Sequence, residues 1–182
     1  GFETWREQVA PALDPVACAH RARLTEQQAL TTLTPDDAAW PHTGLAALGE
    51  RAPLALWMRG RTELLGAGSG SRLTITGTRA PSRYGNEIAR DFTYALAEQG
   101  IIIVSGAAYG IDGIAHHAAL TIDRDTIGVL AGSIDRPYPA GNTSQIRRIG
   151  DDGLLVTEAP PGAPPPSVTR VQQRARLLAA LS

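Results

Sequence analysis

The amino-acid sequence predicts an α/β protein: a Rossmann-like parallel sheet with helices on both faces, preceded by a small helical N-terminal extension. Short runs that are apolar throughout, such as "IIIVSG" at 101–106, alternate with segments of helical periodicity. Strands of this kind are typical of parallel sheets that helices cover on both faces. With 182 residues, 43% of them hydrophobic, the chain can bury one substantial core.

The N-terminal third is predicted to be an extension of the main domain. Residues 1 to about 40 are rich in Ala, Leu, Gln and Arg and predict helix. "APLALWMRG" at 52–60 predicts a short strand that Gly60 closes, and "GAGSGS" at 66–71 predicts a flexible joint. We therefore place the extension and its linker strand at 1–65 and the Rossmann-like domain at 66–182.

From residue 72 onwards, four predicted strands alternate with helices. The strands are "RLTITGT", "IIIVSG", "TIGVLAG" and "LLVTEAP", and the helices between them are "YGNEIARDFTYALAEQG", "GIDGIAHHAAL" and one near "NTSQIRRIG". In such sheets the ligand site lies outside the carboxyl ends of the strands. The loops expected there are "TGTRAPS" (76–82), "SGAAYGID" (105–112), "AGSIDRPYPAGN" (131–142) and "EAPPGAPPPS" (158–167). Their small residues would let backbone N–H groups and a helix dipole approach an anion.

Composition limits the classes of protein that remain. The formal net charge is −1, but all 17 basic residues are arginines, whose planar fork suits phosphate and carboxylate. A GC-rich genome would also explain this usage. Charge is uneven along the chain, with three arginines and no acid at 167–182, so any polyanion site is expected to be a local patch. The single cysteine, Cys18, excludes an internal disulfide. No apolar run approaches the roughly 18 residues that a membrane span needs, and the N-terminus lacks the apolar core of a signal peptide. We expect a cytoplasmic protein.

The motifs of common cofactor sites and catalytic groups are absent. The chain has no G-x-G-x-x-G loop and, because it has no lysine, no Walker A motif. Ordinary use of NAD or ATP is therefore disfavoured. His116 and His117 diverge by about 100° on a helix, so we interpret them as surface residues and not as metal ligands. Asp112, at a predicted helix start, is interpreted as a cap and not as a general base. We expect no metal, no cofactor and no catalytic residue.

The last segment, "VTRVQQRARLLAALS", predicts a helix with an arginine face. Arg170 and Arg174 are four residues apart, whereas Arg176 is turned away from Arg174 by about 200°. Residues 167–182 carry no acid. A solvated face and a phosphate-binding face both fit this pattern.

Five motifs occur together in the order and spacing of the DNA-processing protein A family, also called DprA or Smf. They are "TGTRAPSRYG", "VSGAAYGIDGIAHHAAL", "TIGVLAGSIDRPYPAGN", "LLVTEAPPGAPP" and "TRVQQRARLLAALS". The resemblance covers about residues 35–182. It implies a protein without established catalysis that binds single-stranded DNA, forms a homodimer and loads the RecA recombinase during natural transformation.

The resemblance also implies which residues bind DNA. Gly77, Thr78 and Arg79 match the family's first phosphate-binding loop. Ser105, Gly106 and Gly110 match the second loop. Arg174 and Arg176 match the two arginines of the family's R-N-R motif, and Asn142 follows "YP" as in the family. The expected DNA- or phosphate-binding residues are Gly77, Thr78, Arg79, Ser105, Gly106, Tyr109, Gly110, Asn142, Arg170, Arg174 and Arg176.

Three positions depart from the family's pattern. Tyr109 replaces an arginine of the second loop, Ala175 replaces the Asn between the two arginines, and Val171 replaces a Phe that stacks on a base. Because stacking is worth roughly 1 to 3 kcal/mol per base, binding would be more electrostatic unless Tyr109 supplies a substitute ring. The chain also ends at Ser182, before later strands of the family, so we expect a fragment.

Two alternatives belong to other classes. A nucleotide-binding or nucleoside-monophosphate-hydrolysing enzyme of a related Rossmann-like fold would carry a "PGGxGTxxE" loop, whereas this chain has "APPGAPPP". A scaffold whose arginine tail contacts an acidic protein partner is the other alternative. Steeply salt-dependent binding of an oligonucleotide would favour the DNA-binding protein. Release of a nucleobase would favour the enzyme.

Overall fold

The computed structural model describes residues 14–66 and 68–182, so the helix predicted for the first 13 residues and Ala67 of the predicted joint lie outside the described residues. Helix α1 (Pro15–Gln27) begins at Asp14, whose side chain accepts a hydrogen bond from the amide of Val16. The helical prediction is wrong at Thr31–Leu33, which forms strand β1. Leu33 becomes buried there because β1 pairs with strand β2 (Leu56–Gly60).

The predicted alternation of strands and helices is confirmed from residue 72 onwards. Strands β3 to β6 and helices α3 to α6 follow the short helix α2 (His42–Ala46) in the order β3 (Arg72–Thr74), α3 (Arg83–Glu98), β4 (Ile102–Ser105), α4 (Ile111–Thr121), β5 (Thr126–Leu130), α5 (Thr143–Asp152), β6 (Leu154–Thr157) and α6 (Val168–Ala180). Single 3₁₀ turns cover Gly49–Arg51, Thr62–Leu65, Ser69–Ser71 and Ala140–Asn142.

The six strands form one sheet in the order β1-β2-β6-β5-β4-β3. Strands β3 to β6 are parallel, whereas β2 pairs antiparallel with β6 and β1 antiparallel with β2. The N-terminal segment therefore extends the sheet of the main domain. The boundary between 1–65 and 66–182 stays a prediction.

Helices cover both faces of the sheet, as predicted. On one face, Ile103 and Leu155 pack against α3, α4 and α5, the crossover helices that join successive parallel strands. On the other face, α6 and the segment around α2 close a larger cluster. Its buried members are Leu33, Trp40, Leu45, Leu56, Met58, Leu64, Leu65, Ile102, Val104, Ile127, Val129, Leu154, Val156, Leu177, Leu178, Ala180 and Leu181.

In the part of the chain that the structure describes, none of the helices combines the length and the apolar character that crossing a bilayer requires.

Candidate functional site

Four loops leave the carboxyl ends of β3 to β6 and lie along one edge of the sheet. We call them the β3 loop (75–82), the β4 loop (106–110), the β5 loop (131–142) and the β6 loop (158–167). Parallel strands bring such loops together, which is why ligands of open α/β sheets bind there. The predicted site residues lie in these loops, in the last residue of β4 and on α6.

Glycines allow the β3 and β4 loops to touch. The amide of Ile111 donates a hydrogen bond of 3.2 Å to the carbonyl oxygen of Thr78. Gly110 has φ +76°, and a Cβ there would lie 2.2 Å from that same oxygen. A Cβ at Gly77 would lie 2.9 Å from Cγ1 of Ile111. Any larger residue at Gly110 would therefore push the two loops apart.

Arg174 lies beneath these loops and connects α6 to both of them. Its Nη1 donates to the carbonyl oxygen of Gly106, and its Nη2 lies 3.7 Å from Oδ2 of Asp112. Oδ1 of Asp112 accepts a 2.7 Å hydrogen bond from the hydroxyl of Thr76 in the β3 loop. The side chains of Arg174 and Asp112 are only 12% and 2% exposed. Arg174 thus forms a largely buried ion pair in this structure, and its predicted contact with DNA stays a prediction.

The charge state of Arg174 follows from this environment. Burial lowers the pKa of its guanidinium, the carboxylate of Asp112 opposes that shift, and the positive charge of Arg79 adds to it. Because a guanidinium starts from a very high pKa, Arg174 stays charged at neutral pH. Arg79 and Arg174 line the same small cavity, so two positive charges meet at this edge of the sheet.

The side chain of Arg79 is available to bind an anion. Its side chain is exposed, and within residues 14–66 and 68–182 it makes neither a salt bridge nor a side-chain hydrogen bond. The backbone beside it is fixed, because the hydroxyl of Thr78 accepts from the amide of Ala80 at 3.2 Å. An arginine held on an ordered turn without an acceptor can pair with a phosphate oxygen.

Asn142 and Tyr109 connect the β4 and β5 loops. Nδ2 of Asn142 donates to the carbonyl oxygens of Ala107 and Ala108, at 3.2 and 3.0 Å. The hydroxyl of Tyr109 accepts a 3.1 Å hydrogen bond from the amide of Gly141. In this structure, both side chains therefore fix the position of one loop against the next.

Ser105 lies outside the exposed part of the site. It is the last residue of β4, it is fully buried, and its hydroxyl donates a 2.6 Å hydrogen bond to the carbonyl oxygen of Ile75. Its side chain holds the end of β4 against the end of β3. Its predicted contact with DNA stays a prediction.

The three arginines of α6 have different surroundings. Arg176 forms a bidentate ion pair with Glu158, with Nη1 2.7 Å from Oε2. Its Nε also donates to the carbonyl oxygen of Arg51 at 2.8 Å. Nη1 of Arg170 is buried and has no hydrogen-bond partner among the described residues.

A small cavity of about 80 Å³ lies where the β3, β4 and β5 loops meet α6. Its lining brings together the predicted residues Arg79, Gly106, Tyr109 and Arg174 with Val171. It also includes Tyr138 of the β5 loop, a half-exposed aromatic residue that sequence reasoning missed. The signal that could have found it is an aromatic residue inside the polar loop "DRPYPAGN".

A second cavity, of about 590 Å³, lies on the other side of α6, at the ends of β5 and β6. Arg170, Arg174 and Arg176 line it together with Glu158 and with residues 50–52 of the N-terminal segment. Of these three arginines, Arg174 lines both cavities.

Two interpretations of α4 are wrong. His116 is fully buried, because α4 packs between α3, α5 and the sheet, and only His117 is on the surface. Asp112 does not cap the helix: its carboxylate accepts from Thr76 and pairs with Arg174. Burial lowers the pKa of His116 to about 4, although the nearby carboxylate of Asp112 opposes the shift.

Within residues 14–66 and 68–182, no three His, Cys, Asp or Glu side chains are grouped so that they could hold a metal ion.

The chain resembles known proteins of DNA processing. The family model described as DNA recombination-mediator protein A matches residues 31–182. The putative DNA processing protein DprA of Mycobacterium tuberculosis H37Rv is 43% identical over 159 residues, which are 82% of this chain and 40% of that protein. The DNA processing protein DprA of Bacillus subtilis is 32% identical over 159 residues, 87% of this chain and 50% of the relative. The chain thus spans half or less of the length of these curated relatives.

Two solved structures have the same fold. The X-ray structure of DprA from Streptococcus pneumoniae superposes with a TM-score of 0.80 at 30% identity, over 93% of this chain and 56% of that one. DprA from Helicobacter pylori, whose structure gave insight into a unique single-stranded DNA binding mode, superposes with a TM-score of 0.72 at 32% identity, over 84% of this chain and 66% of that one.

Proposed function

Because this chain belongs to the DNA recombination-mediator protein A family, the DprA/Smf proteins, we propose that it binds single-stranded DNA and delivers it to the RecA recombinase in natural transformation and recombination. The observation that carries the DNA-binding part is Arg79: an exposed arginine on a fixed turn, without an acceptor among the described residues, beside half-exposed aromatic rings. Charge for the phosphates and rings for the bases are what a single-strand site combines.

The two glycine-rich loops support the proposed site in a second way. Gly77 and Gly110 bring the β3 and β4 loops into contact, and the ion pair of Arg174 with Asp112 holds α6 against them. A phosphate that pairs with Arg79 would therefore meet a surface already in place, which lowers the ordering cost of binding.

We propose binding and not catalysis as the activity of this edge. Three carboxylates next to the loops are engaged: Asp112 and Glu158 pair with arginines, and Asp135 accepts from the amide of Gly162. A carboxylate held in this way is not free to accept a proton from a substrate as a general base.

The experiment that tests DNA binding is fluorescence anisotropy of a labelled poly-dT strand, run beside the corresponding duplex over a range of salt concentrations. We expect Arg79→Ala to weaken binding of the single strand by about 1.5 to 3 kcal/mol, because a charge-assisted phosphate contact is lost. The slope of log K against log salt should become shallower by about 0.7, the value for one phosphate contact on a single strand.

Arg124→Ala is the matched control. Arg124 is an equally exposed arginine, but it lies at the opposite edge of the sheet, just before β5. Its replacement should leave affinity and slope unchanged. If a folded Arg79→Ala protein bound poly-dT like the wild type, the β3 loop would not be part of the site.

Loading of RecA, a homodimer and a cytoplasmic location belong to the same proposal and rest on family membership. Light scattering of the purified chain tests the dimer. The rate at which RecA filaments nucleate on strands coated with single-strand-binding protein, with and without this chain, tests loading. An unchanged rate would limit the proposed function to DNA binding.

A further inference from the structure

Two half-exposed tyrosines lie side by side at the edge of the sheet. Tyr109 is 46% exposed and Tyr138 is 49% exposed, and both line the 80 Å³ cavity next to Arg79. Burial of an aromatic ring contributes much of what the ring adds to binding free energy. Two half-exposed rings at one site therefore provide apolar surface that a ligand can cover.

One turn positions both rings. Tyr138 precedes the 3₁₀ turn Ala140–Asn142, and the amide of Gly141 in that turn donates to the hydroxyl of Tyr109. A Cβ at Gly141 would lie 2.5 Å from that hydroxyl oxygen and 3.1 Å from the ring carbon Cε1. The Tyr109 ring therefore lies directly against the turn that follows Tyr138 and Pro139.

The size of the cavity indicates how a ligand would meet these rings. About 80 Å³ is far below the roughly 300 to 1,000 Å³ of sites that enclose a small molecule. A ligand must therefore lie across the opening and cover the exposed ring surfaces. An unstacked nucleobase does this, because every base offers a flat π-face to an aromatic side chain.

We propose that Tyr138, together with Tyr109, forms an aromatic platform on which an unstacked base rests while Arg79 holds a neighbouring phosphate. This inference rests on the proposed binding of single-stranded DNA and deepens it. The platform supplies the ring that the chain lacks at Val171, which lines the same cavity. It also selects substrates: bases that remain stacked in a duplex cannot reach it.

The test compares two ligands: a labelled poly-dT strand and an abasic strand of the same length and charge. We expect Tyr138→Leu to weaken binding of poly-dT by about 5- to 150-fold, the range for one stacked base. On the abasic strand, variant and wild type should bind alike. Tyr138→Phe should keep wild-type affinity, because stacking needs the ring and not the hydroxyl.

Tyr84→Leu is the matched control, since Tyr84 is 72% exposed on α3 and does not line this cavity. The salt dependence of Tyr138→Leu should match that of the wild type, because no cation is removed.

An equal loss on both strands would overturn the inference, since it would show that Tyr138 only shapes the β5 loop. Wild-type affinity of Tyr138→Leu for poly-dT would overturn it as well. Wild-type protein that bound neither strand would refute the proposed function itself, and the platform with it.

Discussion

His116 should make the stability of the fold depend on pH. Its ring is fully buried, and Nδ1 lies 2.8 Å from the hydroxyl oxygen of Thr126. That hydroxyl donates its own proton to the carbonyl oxygen of Ile103, so it accepts from Nδ1–H. Nε2 is then the unprotonated nitrogen, and it has no partner among the described residues. A second proton would charge a fully buried ring, and that desolvation cost outweighs the favourable effects of the Asp112 carboxylate and the Ser105 backbone.

The sign and size of the effect follow from linkage. An unfolded histidine titrates near 6.5, whereas burial lowers the pKa of His116 in the fold to about 4. Between these values the unfolded chain binds a proton that the folded chain does not, so the free energy of unfolding falls as the pH falls. Lowering the pH from about 7.5 to about 5 should cost about 2 kcal/mol, and the full loss near pH 4 is about 3 kcal/mol.

Urea unfolding followed by circular dichroism measures this change. His116→Gln should be less stable than the wild type at neutral pH, but its stability should fall by about 2 kcal/mol less on acidification to about pH 5. His117→Gln is the control, because His117 is the exposed neighbour on the same helix. If His116→Gln and the wild type lost the same stability, His116 would not be the buried neutral group described above.

Two further substitutions test the arginines of α6. Gly106→Ala should destabilise the fold by about 1 to 2 kcal/mol in thermal unfolding, because a Cβ there would lie 2.0 Å from Nη1 of Arg174 and force the guanidinium away from the Gly106 carbonyl oxygen. Gly68→Ala, where a Cβ meets nothing within 4 Å, should change little, and equal behaviour of the two variants would contradict the role of Arg174. Arg176→Gln should cost only about 1 kcal/mol and leave the salt slope of DNA binding unchanged, because Glu158 already neutralises this partly exposed arginine. A slope shallower by about 0.7 would instead show that Arg176 contacts phosphate.

Sequence patterns predict this fold well where the structure is local or repetitive. The four apolar runs from residue 72 onwards became parallel strands, and their topology alone brings the four loops to one edge. Strand β1 was missed because it has three residues, and its pairing with β2 depends on contacts about 25 residues away. A pairing of that kind leaves no periodic signal in so short a segment.

The site was predicted less completely, for a different reason. A helix pattern shows that His116 and His117 diverge, but which of them faces the sheet depends on how α4 packs between its neighbours. The same holds for Asp112, which lies at a helix start yet meets Arg174 from the far end of the chain. Tertiary contacts decide these roles.

Helix α6 has consequences for how this binding site can evolve. Its last turns fill the core through Leu177, Leu178 and Leu181, while Arg174 holds two loops and Arg176 holds the N-terminal segment. A substitution of Arg174, Arg176 or one of these leucines therefore changes the stability of the fold as well as any contact with DNA. The β5 loop carries its half-exposed ring on a surface turn. Laboratory selection for tighter or altered binding should accordingly accumulate its tolerated changes in the loops and leave α6 nearly constant.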